Sequence, residues 1–315
     1  MLRPGGYAIM KGFRGNSIAT GSGNMSSALF RLMLVAVVLV GSGLVRAEIQ
    51  WPRMAESFDG LPISYEVTGQ GDPTLVFIHG WSCDARYWRA QISHFAADHQ
   101  VISIDLAGHG HSGLGRESYT MAAFGRDVKA VVEDAGADQV ILIGHSMGGP
   151  VSVAAAGLMP GRVIGVVGVD TFQNVGQTMS QEEAEAWIAP LREDFRQGAG
   201  QFVPQMFIEA TDAELRDWVI ADMSAAPPEV AISAMSNMLT DMISGQALSA
   251  FSALEVPVVA INADIWPTDV EANQKHQPRF EAVIMDDTDH FLQMAEPEAF
   301  NRELEQVIAR LLESH

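Results

Sequence analysis

The sequence predicts an α/β fold built on a mostly parallel, doubly wound sheet, and three observations carry that expectation. Short runs dense in Val, Ile and Leu, at Thr74–Ile78, Val101–Asp105, Val140–Ile143 and Val163–Val169, have the solid apolar character of strands buried on both faces, and Val256–Ile261 and Phe280–Met285 read as two further strands. Segments with helical spacing fall between them, so strand and helix alternate along the chain. A hydrophobic fraction of 48% supplies the side chains for a full core. A chain of 315 residues has room for about two domains. The recurring pattern instead predicts one core with an insertion.

The N-terminal stretch stands apart. Arg31, the apolar run Leu32–Val45 and the following Arg46-Ala47 read as the charged, hydrophobic and cleavage regions of a secretory signal, with cleavage after Ala47 and a secreted or periplasmic product. Residues 1–47 are therefore expected to be leader. The alternative is a membrane anchor, but the run is short for a span of about 20 residues and contains Gly41 and Gly43. The formal net charge is −20, and Arg3, Lys11, Arg14, Arg31 and Arg46 all precede Glu48 with no acidic residue among them, so the remainder is more acidic still. Such a body repels nucleic acid and anionic lipid, and a small-molecule substrate is the expected partner. Cys83 is the only cysteine, so no internal disulfide forms, and no motif sets a base beside it.

Taken in order, Met54–Phe58 and Ile63–Val67 alternate apolar and polar residues around Asp59-Gly60, a hairpin signal. The strand Thr74–Ile78 runs into His79-Gly80-Trp81-Ser82. Ala85–Ala97 is expected as an amphipathic helix with Tyr87, Trp88 and Ile92 inward. Val101–Asp105 precedes Gly108-His109-Gly110-His111-Ser112. Asp105, His109 and His111 invite a metal reading, yet no further ligand cluster with metal spacing accompanies them, and none is assigned. Met121–Ala135 is a helix closed by Gly136. From Thr171 to about Phe251 no strand run appears. Helical patterns at Gln181–Arg196, Gly200–Glu209, Asp212–Met223 and Pro228–Ser244 predict a helical lid over about 171–252, rich in Met, Phe and Trp.

The chemistry gathers at Gly144-His145-Ser146-Met147-Gly148, between a buried strand and an Ala-rich helix that stops at Pro160-Gly161. A serine at such a bend occupies a strained backbone conformation and needs small residues two positions to either side. The bend lifts its hydroxyl above the sheet edge, with the helix N-terminus aimed at it. An ordinary glycine-rich turn is the plain alternative.

On these residues the chain resembles the α/β-hydrolase superfamily, specifically its lid-bearing serine hydrolases, over nearly everything from Trp51 onward. The resemblance implies that Ser146 is the nucleophile and that the backbone N–H groups of Trp81 and Met147 form the oxyanion hole. It also implies that His290, in Asp286-Asp-Thr-Asp289-His290-Phe291 after the last strand, is the base. Most of the family carries its acid after the strand matching Val256–Ile261, where this chain has Asp264-Ile265-Trp266-Pro267, with Trp266 in the usual acid position. A subset carries it after the preceding strand, where Asp170 stands. Asp170 is taken first and Asp264 second. The implied activity is hydrolysis of a carboxylic ester-type bond through an acyl-enzyme, with no cofactor. Related families use the same triad on carbon–carbon bonds, lactones, thioesters and N-terminal prolines, or for perhydrolysis. A ligand-binding protein that keeps the fold is the non-enzymatic alternative. A serine at 146 separates the chain from the superfamily's haloalkane dehalogenases and epoxide hydrolases, which use aspartate there.

Overall fold

A computed structural model of the protein describes residues 52–315. The expected leader and its cleavage site after Ala47 lie outside the described residues. Eight strands form one sheet: β1 (Arg53–Glu56), β2 (Pro62–Thr68), β3 (Thr74–Ile78), β4 (Val101–Ile104), β5 (Val140–His145), β6 (Val163–Val169), β7 (Val258–Ala263) and β8 (Phe280–Met285). Their order across the sheet is β1-β2-β4-β3-β5-β6-β7-β8. The β1–β2 and β2–β4 pairs are antiparallel, and the remaining pairs are parallel. The expected hairpin and doubly wound sheet are both present.

The period-two alternation of buried strands sorts their side chains onto two faces. Leu75, Phe77, Ile141, Ile143, Val167 and Ile261 pack with Trp88, Phe95, Phe300, Leu304 and Ile308. These last come from the 3₁₀ turn Ala85–Trp88, from α1 (Arg89–Phe95) and from the C-terminal helix described below. Val76, Ile78, Leu142, Val166 and Ala260 face the other way, onto Phe124, Val128 and Val151 of α2 (Met121–Asp134) and α3 (Gly148–Leu158). Both faces are dry, which is why these strands read as unbroken apolar runs.

The interval between β6 and β7 is helical, as expected, but its divisions differ. It contains α4 (Gln181–Glu193), α5 (Phe195–Phe202), a 3₁₀ turn at Val203–Met206, α6 (Ala213–Met223), α7 (Pro228–Ile243) and α8 (Gln246–Ser252). The predicted helix Gln181–Arg196 breaks at Asp194. That residue is extended at φ −149°, and its side chain accepts the Gln197 N–H at 3.0 Å, capping a new helix. The helix predicted over Gly200–Glu209 is thereby replaced by the end of α5 and the 3₁₀ turn. A side chain able to cap competes with helix continuation, and hydrophobic periodicity does not register it. After β7 come α9 (Val270–Gln274), then, beyond β8, α10 (Leu292–Ala295) and α11 (Pro297–Glu313). Pro297 occupies the first turn of α11, which splits the single closing helix expected from sequence. Among the described residues no helix is long and apolar enough to cross a membrane.

Candidate active site

β5 delivers Ser146 at the C-terminal edge of the sheet, where open α/β sheets bind ligands. Its φ is +51°, so the expected strained bend is present. The flanking glycines are there because chain crosses chain. A Cβ on Gly144 would lie 2.1 Å from the Gly148 carbonyl oxygen, and one on Gly148 would lie 2.4 Å from the carbonyl of Ile78. The turn also sets α3 with its N-terminus beside Ser146, and α3 begins at Gly148.

The next strand, β6, is hydrogen-bonded to β5 with Val169 opposite His145, and it ends at Asp170. Asp170 is buried, with a φ of +45°. Its N–H donates to the Ile261 carbonyl at 2.9 Å, and its Oδ1 accepts the Ala263 N–H at 3.0 Å. Its other oxygen, Oδ2, faces His290 Nδ1 at 2.5 Å. The β6 carboxylate, chosen first from sequence, is thus the one brought to His290. Asp264 is exposed and not in contact with it: the Asp264 N–H pairs with the Met285 carbonyl at 3.2 Å. Trp266 instead approaches the imidazole edge-on, with ring centroids 5.4 Å apart. An indole therefore stands where most of the resembled family has its carboxylate. With the Nδ1 proton directed at Asp170, Nε2 of His290 carries the lone pair that can take a proton from a hydroxyl.

Trp81 and Met147 are both buried. Among the described residues neither backbone N–H is paired with a backbone carbonyl. The Trp81 indole donates Nε1–H to the Ala231 carbonyl of α7 at 2.8 Å and meets Phe195 and Phe202 of α5 edge-on. The loop that carries this N–H is therefore held by the insertion.

The remaining polar groups near the loops support rather than react. His79 directs Nδ1–H at the Gly80 carbonyl at 2.8 Å and accepts the Leu106 N–H on Nε2 at 2.9 Å. Burial holds its pKa below the usual histidine value, so it stays neutral and braces the loop. Asp105, one of the three residues that invited a metal, spends its carboxylate on the Ala85 N–H and on the N–H and ring of His111. His109 is pushed down to about 3 by burial. Cys83 is buried beside this loop, with its thiol donating to the Trp81 carbonyl at 3.3 Å and its pKa raised by burial.

Two supporting residues escaped the sequence analysis. His145, immediately before Ser146, packs against His290 with ring centroids 4.7 Å apart and planes tilted by 48°, and donates through Nε2–H to the His290 carbonyl at 2.8 Å. Burial, and then the neighbouring His290 charge, push its pKa well down, so it serves as a neutral donor. Asn262, on β7, accepts the Thr171 N–H on Oδ1 at 3.1 Å and donates to Thr268 at 2.8 Å, tying the acid-bearing loop to the Trp266 loop. The signal for both was a polar residue inside an apolar strand run, which satisfied burial demands to have a partner.

A family model described as the alpha/beta hydrolase family matches residues 75–303. The esterase RhEst1 from Rhodococcus sp. ECU1013 superposes with a TM-score of 0.67 at 25% identity, covering 83% of this chain and 100% of that one. Est816, described as an N-acyl homoserine lactone degrading enzyme, superposes with a TM-score of 0.67 at 25% identity over 80% of this chain and 99% of its own. The dihydrolipoyllysine-residue acetyltransferase component of the acetoin cleaving system of Pseudomonas putida is 30% identical over 147 residues, 47% of this chain and 40% of that protein. The chain spans less than half the length of the first curated relatives it matches.

Proposed function

The chain belongs to the alpha/beta hydrolase family, and on that premise we propose that it is a serine hydrolase cleaving a carboxylic ester-type bond of a small to medium, mainly apolar substrate. The observation that carries the reading is the 2.5 Å contact between His290 Nδ1 and Asp170, with Ser146 strained at the end of the neighbouring strand. In this scheme Ser146 Oγ attacks the acyl carbonyl while His290 Nε2 takes its proton. The N–H groups of Trp81 and Met147 hold the oxyanion, each contributing about 3 kcal/mol of barrier lowering. His290 returns the proton to the departing alcohol, then draws one from water, whose oxygen attacks the acyl-enzyme and frees the acid. The scheme calls for no cofactor. The helices between β6 and β7 serve as the lid over this site, and the apolar residues they carry toward the sheet would meet the acyl or alcohol part.

The test is labelling with a fluorophosphonate probe, peptide mapping of the modified residue, and turnover of p-nitrophenyl esters of graded chain length beside acyl homoserine lactones. Ser146→Ala is expected to abolish labelling and to lower kcat by about 10⁴-fold or more. Wild-type protein that labels nowhere and turns over neither esters nor lactones, yet binds a small ligand tightly, would put the non-catalytic alternative in its place. Export is proposed on the leader sequence. Intact mass of the protein recovered from the periplasm or medium checks it, a mass beginning at Glu48 being expected.

A further inference from the structure

His290 is gripped by a part of the chain that belongs to neither the sheet nor the triad. Three contacts join residues 289–291 to Met206, the last residue of the 3₁₀ turn, and to the short segment between it and α6. The His290 N–H donates to the Met206 carbonyl at 3.1 Å. The rings of Phe207 and Phe291 stack, with centroids 5.1 Å apart and planes 23° from parallel. The Thr211 hydroxyl donates to Asp289 Oδ2 at 2.5 Å, while Asp289 Oδ1 accepts the Phe291 N–H at 2.7 Å. Asp289 is buried, and burial raises its pKa against the pull of these two donors. A buried carboxylate at this position costs stability unless its donors are in place, so it is poorly explained as packing alone. On the other side of the residue, the His290 carbonyl is held by His145. The main chain of His290 is thus pinned at both its N–H and its C=O, once by the insertion and once by the nucleophile's own strand.

We propose that the segment Met206–Thr211 positions His290 for proton transfer, with Thr211 and Asp289 as positioning residues, so that the helical insertion is part of the catalytic frame as well as a cover. The inference rests on the serine-hydrolase reading above. An imidazole that must meet a hydroxyl on one side and a carboxylate on the other tolerates little displacement, since misplacement of about 1 Å costs on the order of 100-fold in rate. Asp170 restrains only the ring. On its N–H side the loop that carries the ring has its restraint from outside the sheet, and Thr211 is the one link in it that a single isosteric substitution removes.

The experiment compares wild type, Thr211→Val and Thr211→Ser for kcat, KM and thermal midpoint on the best p-nitrophenyl ester. The low-field proton resonance of the His290 Nδ1–H, assigned with His290→Ala, is recorded alongside. Thr211→Val is expected to lower kcat about 10-fold with KM changed less than about twofold, and to shift the resonance. Thr211→Ser, which restores the hydroxyl, is expected to recover both. Phe207→Leu reads the same segment independently and is expected to lower kcat in the same sense, which keeps the test decisive should the valine variant fold poorly. Wild-type kcat and an unmoved resonance in Thr211→Val, or a loss that serine does not restore, overturns the proposal, as does a lowered thermal midpoint with kcat intact. Failure of the hydrolase reading shows separately, as wild-type protein that is unlabelled at Ser146 and inactive. The resonance then still reports whether Thr211 sets the His290–Asp170 pair.

Discussion

The loops that follow β6 and β7 make an instructive pair. Both leave neighbouring parallel strands at the same edge of the sheet, and both begin with or soon reach an aspartate, Asp170 in one and Asp264 in the other. Asp170 is buried and turned by a positive φ into the interior, with its carboxylate shared between a backbone N–H and His290. Asp264 is exposed, and the loop beyond it sends Trp266 to the imidazole instead. Two chemically equal side chains therefore have unequal surroundings. A carboxylate in the first position after a strand is no partner for the imidazole unless the backbone aims it.

Substitutions can break this comparison or sharpen it. The largest effect is expected from Asp170→Asn, which keeps the shape but loses the charge that orients the imidazole and stabilises its protonated form. Turnover of the best ester should fall about 10⁴-fold with KM little changed, and a mild loss would erase the distinction between the two loops. Asn262→Ala should come next. It strips the Thr171 N–H of its acceptor and unties one loop from the other, costing about 1–3 kcal/mol in urea unfolding, with kcat lowered as the Asp170 turn loosens. Trp266→Phe keeps an aromatic edge beside His290 and moves no proton, so kcat should stay within about threefold of wild type. A larger drop would mean the indole shares the work of the acid. Asp264→Asn should leave turnover and unfolding midpoint unchanged; it is the control in which strong inactivation would transfer the acid's role to the β7 loop.

Much of this was legible in the chain because the governing forces are local. A strand buried on both faces must be apolar at consecutive positions, so Val140–Ile143 and Val163–Val169 declare themselves without knowledge of their neighbours. Gly144 marks the bend for the same kind of reason, since the Gly148 carbonyl crosses it there, whereas the contact that requires Gly148 is with Ile78 on β3. The helical insertion was harder. Its existence showed in periodicity, but its divisions turned on Asp194, whose capping hydrogen bond depends on one side chain's choice of partner. His145 and Asn262 looked like ordinary residues within strands, and their roles exist only through His290 and Thr171, far away in sequence.

By itself, then, the amino-acid order determined the strands, their two-faced burial, the bend at Ser146 and the stations of His290 and the two candidate aspartates. The strands and the bend follow from interactions within a few residues, or from the demand that apolar side chains leave water, whereas His290 and the two aspartates were marked by the resemblance to the family. Which aspartate meets the imidazole, and that a segment of the insertion holds the loop bearing it, only the tertiary structure decided. His290 and Asp170 are 120 residues apart, and the partner was settled by the positive φ at Asp170 together with the Ala263 N–H waiting at the end of β7. Both are properties of strands lying side by side, and a linear sequence does not write down which strand ends up beside which.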